Sequence, residues 1–229
     1  MFKAFIFDID GTLIDSNAAH AETWKIAFKK YGKDVTFDEM KKLIGMGGDK
    51  ILEKYLTEKE NKEFGKDLED IRGKLFREDY LPDIKPFPKV RELFQKILDD
   101  NKQIALATSA EEEDIEKYKE IANIKDLVDK ETSSDDVKDS KPEPDIFEAA
   151  FDKLKDVEKK QVLIIGDTIW DVKAAVKCNI KIIGVESGGW SAEKLYLEGC
   201  IKVYRDIAEI YDRFDEVMEI STKFEKAHK

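Results

Sequence analysis

Residues 2–7 are almost continuously apolar and rich in β-formers, which predicts a strand buried on both faces. Over residues 18–31 the period turns helical, with Trp24, Ala27, Phe28 and Tyr31 at i, i+3, i+4 and i+7 and His20 one turn earlier on the same face. Residues 37–44 read as a short helix, 45–48 as a glycine-rich break, and 49–56 as a further helix with the stripe Leu52, Tyr55, Leu56. Phe64, Leu68, Ile71 and Leu75 mark a longer helix running to about Tyr80. No strand pattern interrupts this helical stretch.

Pro82, Pro86 and Pro88 end it, and Val90, Leu93, Phe94, Ile97 and Leu98 open a new amphipathic helix. Strand and helix then alternate. Strands are expected at 103–107, 126–131 (weaker), 162–165 and 180–185, and helices at 111–122, 144–154 and 171–176. A last helix spans 207–218, and residues 221–229 read as a frayed charged tail. This rhythm predicts an α/β fold, a Rossmann-like parallel sheet core with one all-helical insertion after the first strand. The core then comprises residues 1–15 and 84–229, and the insertion residues 16–83.

Charged residues make up 40% of the 229, yet apolar residues at 41% keep the chain in the globular class. The net charge of −11 repels nucleic acid and anionic membrane, so an anionic ligand needs a local positive group or a metal. No apolar run approaches a membrane span and no leader pattern opens the chain, which predicts a cytoplasmic location. Cys178 and Cys200 have no metal-ligand spacing and form no disulfide framework.

The candidate chemistry lies where predicted strands end. The first runs into Asp8-Ile9-Asp10-Gly11-Thr12, the second into Thr108-Ser109, and the fourth into Gly166-Asp167-Thr168-Ile169-Trp170-Asp171. Ser140-Lys141-Pro142 follows the weak strand. In an open parallel sheet, ligands bind outside the carboxyl ends of strands, so one crevice can collect these acids, hydroxyls and the lysine. Each residue has a bland alternative: Asp-Gly turns, threonine helix caps and solvated loop lysines are common. Trp170 and Trp190 read as packing residues.

Taken together and in this order, the four motifs resemble the haloacid dehalogenase superfamily in its phosphatase branch. The helical insertion resembles the small cap of the phosphoglycolate phosphatase and β-phosphoglucomutase subgroup. The resemblance implies a hydrolase of small phosphomonoesters, of phosphoglycolate or sugar-phosphate type, that forms an aspartyl-phosphate. It assigns Asp8 as nucleophile and Asp10 as the acid and base. Thr108, Ser109 and Lys141 bind the phosphoryl group, and Mg²⁺ is held by Asp8, the main-chain carbonyl of Asp10, Asp167 and Asp171, the last directly or through water.

His20 and Gly47, the latter in the loop that resembles a substrate-reading cap loop, are candidate cap contacts to substrate. Four carboxylates and a phosphate dianion against Lys141 also call for a divalent cation, and for a proton on Asp10. The alternatives are a phosphomutase, disfavoured because Gly47-Gly48 is followed by Asp49 where the mutase pattern has a nearby arginine, and a phospho-accepting signalling protein. The expected partner is a small phosphorylated metabolite.

Overall fold

The computed structural model describes residues 1–227. Strand β1 (Ala4–Phe7) lies at the centre of a six-stranded sheet, flanked by β2 (Gln103–Ala107) and β4 (Val162–Gly166). β3 (Glu131–Thr132) extends the sheet beyond β2, and β5 (Lys181–Val185) with β6 (Lys202–Tyr204) extends it beyond β4. Every pairing is parallel.

The apolar run that opens the chain explains why β1 is central. Phe5 and Phe7 pack on one face with Leu93, Phe94 and Ile97 of helix α6 (Val90–Asp99), while Ala4 and Ile6 face the opposite cluster around Phe147 and Val172. Both faces are therefore covered, as all-parallel sheets require.

Between β1 and α6 the chain is helical throughout. It forms α1 (Asn17–Lys30), α2 (Phe37–Lys41), α3 (Gly48–Tyr55), α4 (Glu58–Glu60) and α5 (Lys66–Leu75), with π-helical turns at Asn61–Gly65 and Phe76–Tyr80 flanking α5. The stripe predicted from sequence is its core: Trp24, Ala27 and Phe28 cluster with Met40, Ile51, Leu52 and Leu68. Two short links join this segment to the sheet, side by side. Asp15 N–H donates to the Lys85 carbonyl at 2.9 Å and Phe87 N–H to the Leu13 carbonyl at 2.9 Å.

The remaining helices cover the sheet: α7 (Glu112–Ile121), α8 (Asp145–Asp152), α9 (Ile169–Lys177), α10 (Ala192–Glu198), α11 (Ile207–Asp212) and α12 (Phe214–Ala227). No helix among the described residues is long and apolar enough to cross a membrane.

Several boundaries differ from the sequence expectation. The strand expected over 126–131 shrinks to Glu131–Thr132, because Asp126 is turned away into a two-pronged pair with Arg91 at 2.6 and 2.7 Å. Helix α10 and strand β6 were not anticipated, being short and interleaved with charge. The last helix divides at Arg213, and its second half continues through the expected tail to Ala227, a stretch with no glycine or proline to stop it. Residues 228 and 229 lie outside the described residues.

Candidate active site

The carboxyl ends of β1, β2 and β4 deliver their polar residues to one point, together with Lys141 from the loop before α8. Asp8 leaves β1 with its backbone N–H bonded to the Ile165 carbonyl at 2.9 Å, which ties its position to the neighbouring strand. Lys141 is fully buried, and its Nζ lies 2.5 Å from Asp8 Oδ1, 2.7 Å from Asp171 Oδ1 and 3.3 Å from the Ala107 carbonyl. The bland reading of a solvated loop lysine therefore does not hold. Burial works against its charge, but Asp171 and Asp8 outweigh that and hold the ammonium above the usual lysine range.

Asp171 is aimed by the start of its own helix. Thr168 caps α9, with its N–H and hydroxyl donating to Asp171 Oδ2 at 3.0 and 2.6 Å. The remaining oxygen, Oδ1, faces Lys141 as an ion pair. Asp167 accepts from Asn17 Nδ2 at 2.9 Å and lies 3.0 Å from the Thr12 hydroxyl, which is also 3.2 Å from Asp8 Oδ2. One hydroxyl proton cannot serve both carboxylates at once. Backbone closes over Asp167: a Cβ on Gly188 would stand 1.5 Å from its Oδ2, and one on Gly11 2.4 Å. Gly11, at φ +77°, occupies a conformation that side-chain-bearing residues rarely adopt.

Asp8, Asp167 and Asp171 are all buried and each offers an oxygen within 4.8 Å of the others. Three carboxylates thus face one ammonium. Burial first, with Asp171 and Asp10 adding to it against Lys141, pushes Asp8 up to about 7. Burial and the adjacent Asp8 and Asp171 push Asp167 upward as well. Oxygen-only negative charge in excess of the one ammonium fits a hard divalent cation.

Asp10 is held differently. The Ser16 hydroxyl donates to its Oδ1 at 2.5 Å, and His20 Nε2 lies 2.9 Å from the same oxygen. The other ring nitrogen of His20 stands 3.3 Å from Arg72 Nη1, which can only donate, so Nδ1 accepts and Nε2 carries the hydrogen given to Asp10. Burial pushes the Asp10 carboxyl up, but the His20 ring and Ser16 outweigh it and hold it below the usual aspartate range. A proton resting on Asp10 was the sequence expectation; the upward pressure falls on Asp8 and Asp167 instead, because neither has a histidine beside it.

Thr108 is fully buried; its hydroxyl accepts from Ala110 N–H at 3.1 Å and lies 3.5 Å from Asp10 Oδ2. Ser109 lines the cavity above the carboxylates, as do Asp8, Asp10, His20 and Trp24. In the glycine loop, Gly45, Met46 and Gly48 line it, whereas Gly47 packs against Ser140, where a Cβ would come within 2.1 Å of the serine Cβ. Trp170 is a packing residue against the helical segment, its indole N–H donating to the Lys42 carbonyl at 3.2 Å.

Thr12 belongs to the motif that the sequence marked, without a role assigned to it, whereas sequence reasoning missed Ser16, Asn17 and Arg72. Ser16 and Asn17 sit within ten residues of Asp8, and only their polar character just past a buried strand could have flagged them.

Residues 5–185 match the family model described as haloacid dehalogenase-like hydrolase. The chain is 30% identical over 189 residues to a phosphorylated carbohydrates phosphatase of Thermotoga maritima, covering 80% of this chain and 85% of that protein. It is 28% identical to a phosphoglycolate phosphatase of Aquifex aeolicus, over 78% of this chain and 82% of the relative. Among solved structures, a hydrolase from Pseudomonas syringae superposes with a TM-score of 0.85 at 28% identity, covering 93% of this chain and 98% of that one. With its motifs gathered at the strand ends and most of its length matched, the chain belongs to the haloacid dehalogenase-like hydrolases.

Proposed function

We propose that the protein is a Mg²⁺-dependent phosphatase of small phosphomonoesters, working through a phosphoryl group carried on Asp8. The observation that carries this reading is the pairing of two unlike aspartates at one strand end. Asp8 is bound to the buried Lys141 and Asp10 to His20 and Ser16. In this reading the first attacks and the second moves protons. The phosphatase names of relatives that match about four-fifths of the chain support the same reaction class.

In this reading an Asp8 oxygen forms a bond to phosphorus as the ester P–O bond breaks. Asp10 gives a proton to the departing alkoxide. Water then attacks the phosphorus, Asp10 takes the proton back, and Asp8 is released. The geometry favours the ionised form of Asp10 needed for the second step. A phosphate dianion arriving beside it raises its proton affinity for the first. Lys141, Thr108 and Ser109 hold phosphoryl oxygens. Asp8, the Asp10 carbonyl, Asp167 and Asp171 would hold Mg²⁺, which would neutralise charge on the carboxylates and the transferring group. Residues 16–83 act as a cap that closes over the site, turning on the paired links at 13–15 and 85–87.

The test is phosphate release from a panel of small phosphate esters, with Mg²⁺ and with chelator, beside Asp8→Asn. Release by the parent alone, dependent on Mg²⁺, is expected. Turnover in a purified Asp8→Asn protein sinks the mechanism. Isomerised sugar phosphate without free phosphate points to a mutase.

A further inference from the structure

Beyond the carboxylates, the cavity contains a side chain that the reaction just described does not use. Tyr118 of α7 is 1% exposed, lines the cavity, and its hydroxyl has no hydrogen-bond partner. Its ring is held edge-on by Phe76, with centroids 6.4 Å apart at 86°, so packing fixes where the hydroxyl points. A buried hydroxyl left without a partner is costly, and a cavity beside it offers a place for one.

Its neighbours in the same cavity are of mixed character. Arg72 lies over the Trp24 ring, 5.1 Å from its centroid, and its Nε is buried without a partner. Asp114, 7% exposed, also lines the cavity and has one oxygen turned to Arg77 at 3.4 Å; Glu111 stands beside it. The wall therefore presents a donor, a group that both donates and accepts, and two acceptors. A hydroxyl, which donates and accepts, can satisfy that set. A carboxylate or phosphate would find Arg72 but face Asp114 and Glu111.

The way in from solvent has the same bias. An adjoining groove of about 670 Å³ shares Gly48, Arg72, Ser109 and Glu111 with the cavity. It adds Glu69, Asp70, Glu112 and Asp135 against Lys66 and Lys138. Acids thus outnumber basic residues at this mouth, and burial, with Glu111 and Asp49 adding to it against Arg72, raises the Glu69 carboxyl. The cavity itself is small, about 50 Å³, which suits a compact leaving group.

We propose that Tyr118, Arg72 and Asp114 form the subsite for the leaving group and select a neutral, hydroxyl-bearing one, a small sugar or polyol, over one carrying a carboxylate or a second phosphate. This inference rests on the phosphatase reading above. Tyr118 is its specificity-determining residue.

The experiment compares kcat/KM for glycerol phosphate, propyl phosphate and phosphoglycolate in the parent, Tyr118→Phe and Glu111→Gln proteins. The parent is expected to prefer glycerol phosphate over propyl phosphate, and both over phosphoglycolate. Tyr118→Phe keeps the ring and removes the hydroxyl, so the preference for glycerol over propyl phosphate should fall about five- to tenfold, the worth of one net hydrogen bond. Glu111→Gln should raise phosphoglycolate relative to glycerol phosphate several-fold.

An unchanged glycerol-to-propyl ratio in Tyr118→Phe overturns the proposal, even if the variant melts higher. So does a parent that prefers phosphoglycolate, since Arg72 would then be reading an anion. Release from propyl phosphate without any hydroxyl preference removes this inference and leaves the phosphatase standing; release from no ester removes both.

Discussion

The two ends of the cavity are built on different principles. The phosphoryl end is held by strand termini, and each of its charged groups is fixed by at least one other: Asp8 by Lys141, Asp171 by Thr168, Asp167 by Asn17. The far end is assembled from separate helices, α1, α5 and α7, and keeps buried polar atoms on Arg72 and Tyr118 with nothing to bond. The first set sits on strand ends, whereas the second is shared between the helical segment and α7, which packs on the sheet. The teaching is that satisfied and unsatisfied polar groups mark different tasks within one cavity.

Removing the charge that organises the phosphoryl end gives the sharpest contrast. Lys141→Met leaves Asp8 and Asp171 buried without their cation. Turnover is expected to fall about a thousandfold or more, and stability by about 3–5 kcal/mol in chelator. Added Mg²⁺ should recover part of the stability but little of the turnover, as read by thermal melts and phosphate release. If the variant is as stable as the parent in chelator, the phosphoryl end is not over-determined and the comparison breaks.

At the other end the same kind of change should cost less. Arg72→Met removes the donor to His20 and the cation over Trp24. We expect kcat/KM to drop about tenfold and stability to change by no more than about 1 kcal/mol, since the aliphatic stem and its packing remain. A loss as large as that of Lys141→Met would place Arg72 in the chemical step.

The smallest effect lies on the surface of the helical segment, far from either end. Glu60 caps α4 by accepting from Thr57 N–H at 2.8 Å and pairs with Lys33 at 2.6 Å. The Lys33 hydrogen bond, followed by those from Thr57, lowers its carboxyl to about 2. A depressed acid contributes stability that is complete above its unfolded value, near 4.5, and is lost as pH falls toward about 2. Melting curves of parent and Glu60→Gln should therefore differ at neutral pH and converge progressively below pH 4.5. A constant gap across that range would assign the difference to packing.

The sheet was legible because its signals are local. An apolar run ending in Asp8 and Asp10 states both a buried strand and the point where burial stops, and the strands at Gln103–Ala107 and Val162–Gly166 end the same way. Lys141 needed its neighbours in chain order, since alone it has the pattern of a surface loop. The far end of the cavity was not legible for a physical reason. Arg72, Asp114 and Tyr118 sit on amphipathic helices where an arginine, an aspartate and a tyrosine are ordinary, and only the packing of α5 against α1 and of α7 on the sheet face turns them inward. Within the glycine loop Gly47 is spent on the close approach to Ser140, while its neighbours Gly45, Met46 and Gly48 meet the cavity, a division that a run of glycines does not reveal.

The paired links beside Leu13 and Lys85 also bear on how the molecule is made. β1 precedes both of its sheet partners in the chain, which begin at Gln103 and Val162, so this apolar strand leaves the ribosome before either can pair with it. The segment that follows it has its whole cluster, from Ala21 to Leu68, available before either partner emerges. Once Asp15 and Phe87 have closed their two hydrogen bonds, the long excursion is short-circuited, and β2 has only α6 and its flanking loops to span before it meets β1. The helical segment thus spares the central strand much of the entropic cost of finding its neighbour, and shortens the time for which an aggregation-prone edge is exposed during folding.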